Sequence, residues 1–407
     1  MKAIQFNASV PRYAAGMALG KAFPSLLWSG LSCTYAADVD EPTLPTDEWV
    51  MIKTRYGGVC GSDLSAIHLR VSPYYSPFSS YPFTLGHENV GRIAEVGPCV
   101  EGWEVGERVV VEPTLWCRPR GFANLCVYCA RGEINRCERV TEGNLPPGLF
   151  AGSCHTTGGS WGARFVAHSA QLYRVPESVS DENALMIEPF ACSLHAVLQN
   201  PPHDDETVLI VGAGTIGLCA LAAIRAIGSA CRAIVLARHP AQVEAARRLG
   251  ASDVIPGGAD HFEEVARLTG GKLLKPIIGK RVMVGGADRT YVCAGSDSAV
   301  DDGLRLTRSG GRVVLVSLPG IAKRIDWSAI FAQELTLSAA YAYHHAEQFQ
   351  GETWSTFGLT LDLMARGNLD LGWMVTHRFR IDDYAQAFRL HSQRGQSGII
   401  KAVFAFE

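Results

Sequence analysis

Val208-Leu209-Ile210-Val211-Gly212-Ala213-Gly214-Thr215-Ile216-Gly217 is the stretch whose reading decides the fold. A short apolar run, read as a buried strand, leads into G-x-G-x-x-G, and an apolar helical pattern follows over 215–227. The glycine spacing alone arises by chance in loops; directly after a strand and opening a helix, it has a physical reading. Gly212 permits the tight turn, Gly214 lets the backbone approach a pyrophosphate, and Gly217 lets helix and strand pack closely. The helix N-terminus, with Thr215 and Ile216 in its first turn, offers free N–H groups and a positive dipole to phosphates. The competing reading is a plain βα turn with incidental glycines.

The pattern outward from this turn agrees with dinucleotide binding. Between residues 193 and 343, apolar runs alternate with amphipathic helical segments, as in a parallel α/β sheet. Strands are expected at 208–211, 233–237, 289–293 and 312–317, and helices at 215–227 and 241–249, the latter ending at Gly250. Up to about residue 190 the chain is rich in strands and turns, as in Trp49–Lys53, Val90–Val96 and Arg108–Val111. The tail from 344 holds a helix near 355–365 and a strand at 399–404, expected to return to the first domain. The division expected is 1–192 plus 344–407 for one domain and 193–343 for the other. No internal repeat or low-complexity segment is evident.

Composition excludes several classes of function. The 407 residues, 47% apolar and 19% charged, suffice for two domains with their own cores. A net charge of −3 gives no basic footprint for nucleic acid. No apolar run approaches the ~20 residues of a membrane span. The stretch 16–36 is broken by Lys21 and Pro24, and Met1–Phe6 reads as a strand rather than a signal sequence, so a cytoplasmic location is expected. In such a chain, metal binding and buried thiols are the better reading of twelve cysteines than a disulfide framework.

Two cysteine-containing sets have metal-ligand character. Cys117, Cys126, Cys129 and Cys137, spaced C-x8-C-x2-C-x7-C, suit a closed tetrahedral zinc site. Cys60, His87 and Glu88 mix donor types, which suits a zinc that keeps an open position for chemistry. The other seven cysteines (Cys33, Cys99, Cys154, Cys192, Cys219, Cys231, Cys293) are read as core thiols.

Cys60-Gly61-Ser62-Asp63, Gly86-His87-Glu88, the four-cysteine lobe, Glu188-Pro189 and Gly212–Gly217 occur in the order seen in zinc-dependent medium-chain dehydrogenases, which the chain resembles from end to end. An apparent insertion occupies roughly 11–40. Within that family the chain looks most like the polyol and threonine dehydrogenase branch. The resemblance implies a GroES-like catalytic domain built from both chain ends, with the Rossmann domain between them. It also implies reversible alcohol–carbonyl interconversion with a nicotinamide cofactor, a small-molecule alcohol or carbonyl substrate, two zinc ions per chain, and a homodimer or homotetramer. Cys60 and His87 would ligate the catalytic zinc, and Glu88 would ligate or stand beside it. Glu188 would be the remaining ligand, with Cys192 as competitor. Ser62 would contact the substrate hydroxyl and begin a proton relay, and Asp63 would orient His87. The zinc would polarise the alcohol oxygen, and hydride would pass to the nicotinamide.

Two departures from the family pattern stand out. Many relatives have a His five residues after the cysteine ligand to finish the relay; here Ser65 stands there, leaving His68 or water. The first interval of the lobe is usually two residues, and here the segment 118–125 fills it as a loop insertion. Tyr74, Tyr75, Phe78 and Trp161 read either as an apolar substrate wall or as core.

Cofactor choice is read at the end of the second Rossmann strand, Ala237-Arg238-His239. An NAD site usually has an acid there. Its absence, with a guanidinium in its place and His239 as an added donor, favours NADP over NAD. A second basic residue often follows four later in NADP-using relatives. Gln242 stands there, and Arg247 and Arg248 read as too far along the helix. The competing class is a non-catalytic nucleotide-binding relative. Within the enzyme class, aromatic or simple alcohol and aldehyde substrates compete with polyols and threonine.

Overall fold

The computed structural model describes residues 1–317 and 319–407. Its nucleotide-type sheet has six parallel strands in the order Asp253–Pro256, Arg232–Ala237, Thr207–Val211, Ala287–Val292, Thr307–Leu315, Thr336–Ala339. Val208, Leu209 and Ile210 are fully buried, because helices cover both faces of a parallel sheet and leave no polar side for the strand. Strand order reverses between Thr207–Val211 and Ala287–Val292, and ligands of such sheets bind at the carboxyl ends of the strands at that switch point. Gly212 lies there at φ 102°. A Cβ on Gly217 would meet the Gly212 carbonyl at 1.8 Å, which accounts for the last glycine of the turn.

The expected Rossmann elements match the structure to within a few residues at most ends. The helix after the turn is Thr215–Ala226, and the next is Pro240–Arg248, begun by a proline that needs no N–H partner at that position. The helix Ile187–Gln199 spans residue 192, where the two domains were expected to divide.

The second large sheet joins Val375–Phe379, Lys401–Ala405, Trp49–Gly58, Asn89–Val96, Arg108–Val111 and Leu172–Arg174, with Arg164–His168 paired to Trp49–Gly58. The C-terminal strand pairs antiparallel with the end of Trp49–Gly58, Val403 opposite Gly58, so the tail does return to the N-terminal region. The 11–40 stretch folds as helix Val10–Leu19, the 3-10 turn Pro24–Trp28 and strand Thr34–Asp38, and it places Leu27, Trp28 and Cys33 in a core shared with Ile67 and Phe388.

One core reading needs correction, and one open alternative is decided. Cys99 is exposed, because it follows the strand in a turn, while the other six thiols of that group are buried or half-buried. Trp161 is fully buried and donates to the Gly58 carbonyl at 2.8 Å, so it is core, not substrate wall. Tyr74 is 72% exposed. Among the described residues, no helix is long and apolar enough to cross a membrane.

Candidate active site and zinc lobe

Cys60 caps helix Gly61–Ile67, and the cap is reciprocal: the Cys60 N–H donates to Asp63 Oδ2 at 3.0 Å. Asp63 Oδ1 lies 3.3 Å from His87 Nδ1. One buried carboxylate therefore fixes the backbone of Cys60 and the ring of His87, and leaves Nε2 of that ring for another partner. Burial pushes the His87 imidazole down, but the Asp63 carboxylate and its hydrogen bond, with Cys60, outweigh it and hold the group well above its usual value. Phe150 stacks on the His87 ring at 6.1 Å, and Tyr341 packs on Phe150 at 6.0 Å.

Glu88 is ion-paired with Lys401, both 1% exposed. The ammonium also donates to the Val59 carbonyl at 3.2 Å. Burial lowers the Lys401 pKa, and Glu88 more than restores it. Lys401 has no local sequence signal: its partner is 313 residues away, and it reaches the site only because the last strand pairs with Trp49–Gly58. Replacing Lys401 by Met would leave a buried carboxylate without a counter-charge, which costs about 3–5 kcal/mol. Calorimetry should show a large fall in melting temperature for Lys401→Met, and Glu88→Gln in the same chain should recover most of it. A single variant as stable as the parent would show that the pair is not maintained.

Glu188 lies in the first turn of helix Ile187–Gln199, 7% exposed. Burial raises its carboxyl to about 7, with His87 opposing and Glu88 adding to the shift. Cys192, one turn on, donates its thiol to Glu188 Oε1 at 3.5 Å. Burial, then Glu188 and Cys60, push the Cys192 thiol well up. Cys60, His87, Glu188 and Cys192 thus share one electrostatic neighbourhood. The thiol, imidazole and carboxyl donors, with a carboxylate behind the imidazole, fit zinc. Ser62, next to Cys60, is exposed. His68, the nearest imidazole to Ser65, packs edge-on against Trp28 at 6.4 Å, and burial lowers its pKa.

Among the described residues, two groups bring all their ligand atoms within 4.8 Å of one another: Cys117, Cys126, Cys129 and Cys137, and a second group of His195, His344 and Glu347. The Cys60, His87 and Glu188 donors are not gathered that tightly.

The four lobe sulfurs are buried, with Cys117 and Cys137 Sγ 3.7 Å apart. Four sulfurs ~2.3 Å from one centre in a tetrahedron stand about 3.8 Å apart, so the lobe fits zinc. The Cys126 N–H donates to Cys117 Sγ at 3.4 Å and the Cys129 N–H to Cys126 Sγ at 3.5 Å, bonds that favour thiolates. The inserted segment is ordered by Arg120, which is fully buried. Its guanidinium donates to the carbonyls of Leu115, Glu142, Leu145, Pro146 and Gly148 at 2.6–3.3 Å.

The His195, His344, Glu347 group is a closed hydrogen-bond network. His195 Nδ1 is 2.7 Å from Glu347 Oε1, which also accepts from Thr356, and Gln199 donates to Oε2. His344 Nδ1 accepts from the Ala346 N–H, so that lone pair is committed. The group joins helix Ile187–Gln199 to the segment after residue 341. Its sequence signal is the stripe 188, 192, 195, 199 on one helix face, visible only once the helix is known.

At the Rossmann strand end, Arg238, His239, Val243, Glu244 and Arg247 border one cavity of about 500 Å³. Arg247, read from the sequence as too far along its helix, thus borders the cavity that Arg238 borders. The His239 ring lies against Gly395, where an added Cβ would meet it at 3.1 Å.

Two family descriptions match the chain: the alcohol dehydrogenase GroES-like domain over residues 46–177 and the zinc-binding dehydrogenase over 215–357. L-idonate 5-dehydrogenase of Vitis vinifera is 29% identical over 360 residues, 87% of each chain. L-threonine 3-dehydrogenase of Anaeromyxobacter sp. (strain K) is 30% identical over 363 residues, 89% of this chain and 92% of that one. The alcohol dehydrogenase of the archaeon Aeropyrum pernix shares the fold, with TM-score 0.74 at 21% identity and full coverage of both chains.

Proposed function

The chain belongs to the zinc-dependent medium-chain dehydrogenases, and from that premise we propose that it is an NADP-preferring dehydrogenase of a polyol- or threonine-like alcohol, reversibly forming the carbonyl. That it is an oxidoreductase acting on CH–OH groups follows from the family. The observation that carries the site reading is the Asp63 carboxylate clamping both Cys60 and His87 beside the buried Glu188. Cys60, His87 and Glu188 would hold one zinc and the four lobe cysteines a second. The catalytic metal, when bound, supplies a Lewis acid for the alcohol oxygen.

The protein's own residues do the rest. Asp63 fixes the His87 ring and tautomer. Lys401 neutralises Glu88, so that Glu88 stands beside the donors as a paired carboxylate. Ser62 meets the substrate hydroxyl and passes its proton outward. With Ser65 in the relay position and His68 packed against Trp28, that proton leaves through water. Phe150 and Tyr341 form the apolar side of the cleft near His87. Gly212, Gly214, Thr215, Ile216 and Gly217 bring the backbone and helix N-terminus to the cofactor pyrophosphate.

The domain division is part of the same reading: a GroES-like catalytic domain over 1–192 and 344–407, and a nucleotide domain over 193–343. So is a cytoplasmic homodimer or homotetramer without nucleic-acid partners. Ile277, Ile278 and Phe331, 102%, 87% and 90% exposed, are apolar surface that such an assembly would cover.

The test is zinc analysis together with a panel of polyols, threonine and simple or aromatic alcohols, followed at the nicotinamide absorbance. No alcohol-dependent reduction in zinc-loaded protein would overturn the reading. For the cofactor, one guanidinium on a 2′-phosphate gains roughly 1.5–3 kcal/mol. That is about 10- to 150-fold in favour of NADP. Ala237→Asp with Arg238→Gln should move the preference toward NAD. Equal kcat/KM for both cofactors in the unmodified enzyme would refute the NADP preference.

A further inference from the structure

We propose that Arg247, together with Arg238, forms a two-guanidinium clamp for a phosphomonoester dianion, the 2′-phosphate of NADP. This rests on the NADP reading above and adds the second cation which that reading lacked. The two arginines are nine positions apart, yet both border the cavity of about 500 Å³ at the strand end. The helix explains how. Val243 and Arg247 are four apart on helix Pro240–Arg248 and share one face. Long helical side chains lean toward the N-terminus, so the Arg247 side chain is carried back over Val243 toward the end of strand Arg232–Ala237.

The neighbouring arginine marks the contrast. Arg248 lies over the Trp373 ring at 4.1 Å and is turned to the catalytic domain. Arg238 and Arg247 are both exposed, and among the described residues neither makes an ion pair. Glu244, the one carboxylate bordering the cavity, is likewise exposed and pairs with neither. Two guanidiniums against one carboxylate leave the cavity cationic. A planar guanidinium can grip phosphate through two parallel bonds, so two of them can cover its three oxygens. A site built for an unphosphorylated ribose needs the reverse, an acid facing the hydroxyls, and the strand end has none.

The probes are 2′,5′-ADP and 5′-AMP, which differ by the 2′-phosphate alone, and the measured quantity is the ratio of their dissociation constants by calorimetry. The parent protein is expected to bind 2′,5′-ADP at least about tenfold more tightly than AMP. Arg247→Gln should reduce that ratio by about tenfold, and Arg247→Lys should restore part of it, which a merely structural role would not do. If Arg238→Gln abolishes the ratio while Arg247→Gln leaves it intact, the clamp is wrong and the NADP reading stands. A ratio near one in the parent protein overturns both.

Discussion

Glu188→Ala is expected to lower kcat/KM by at least about 100-fold, whereas Cys192→Ala should change it by no more than a few-fold. Partners behind a metal ligand already cost 10- to 100-fold when removed, so a direct ligand should cost at least the upper end. The two side chains are one helical turn apart and in contact at 3.5 Å, so a general disturbance of the helix would affect both variants alike. What separates them is chemistry. Glu188 is a buried carboxyl beside His87 and Glu88, raised by burial, and a cation brought to that neighbourhood favours its ionised form. Cys192 is a thiol held protonated by burial and by Glu188, and it serves as a donor to that carboxylate. Zinc content should follow: one equivalent lost in Glu188→Ala and none in Cys192→Ala. The opposite pattern would assign the ligand to Cys192 and place Glu188 in a supporting position.

The chemistry that the sequence displays sits in short motifs. Gly212–Gly217, Cys60–Asp63, His87-Glu88 and the lobe cysteines are each a local run whose geometry is set by one turn or one helix start. Their metal- or phosphate-binding character is legible locally, while the role of each residue comes from the order of these runs along the chain. Lys401 is the counter-example: a lysine in an apolar C-terminal strand reads as a surface residue until strand pairing places it against Glu88. Phe150 and Tyr341 are of the same kind, joined across the chain because Phe150 stacks on His87 and Tyr341 packs on Phe150. Arg247 illustrates another limit: read from the sequence as too far along its helix, it borders the same cavity as Arg238. Distance along a helix axis is visible in a sequence, whereas the backward lean of a long side chain is not. The buried Arg120 looks like a charge in a loop insertion, because backbone carbonyls, its actual partners, have no sequence signature.

Cys126→Ser is expected to remove the lobe zinc, leaving about one zinc equivalent per chain, and to lower the melting temperature markedly. Structural zinc binding is coupled to folding and is worth about 10–16 kcal/mol in isolated zinc-finger peptides. Here only the lobe depends on it, so the loss should appear as a local opening that precedes the main transition. The charge arrangement makes the lobe intolerant of an empty site. Zinc with four thiolates is a net dianion, and Arg120, fully buried and bonded among the described residues to backbone carbonyls rather than to a carboxylate, lies within the same lobe and feels Cys154, Cys137 and Cys117. Without the metal that tetrathiolate centre is lost, and the buried guanidinium keeps its backbone-carbonyl partners without it. The opening should also reach the cleft. Asn135 donates to the Tyr341 carbonyl and His345 to the Gly132 carbonyl, each at 2.7 Å, and Tyr341 packs on the Phe150 that stacks on His87. Turnover should therefore fall in Cys126→Ser even though the catalytic zinc stays bound. A variant with two zincs, the parental melting temperature and full turnover would refute the lobe assignment. One that loses a zinc and stability but keeps full turnover would show that the lobe and the cleft are uncoupled.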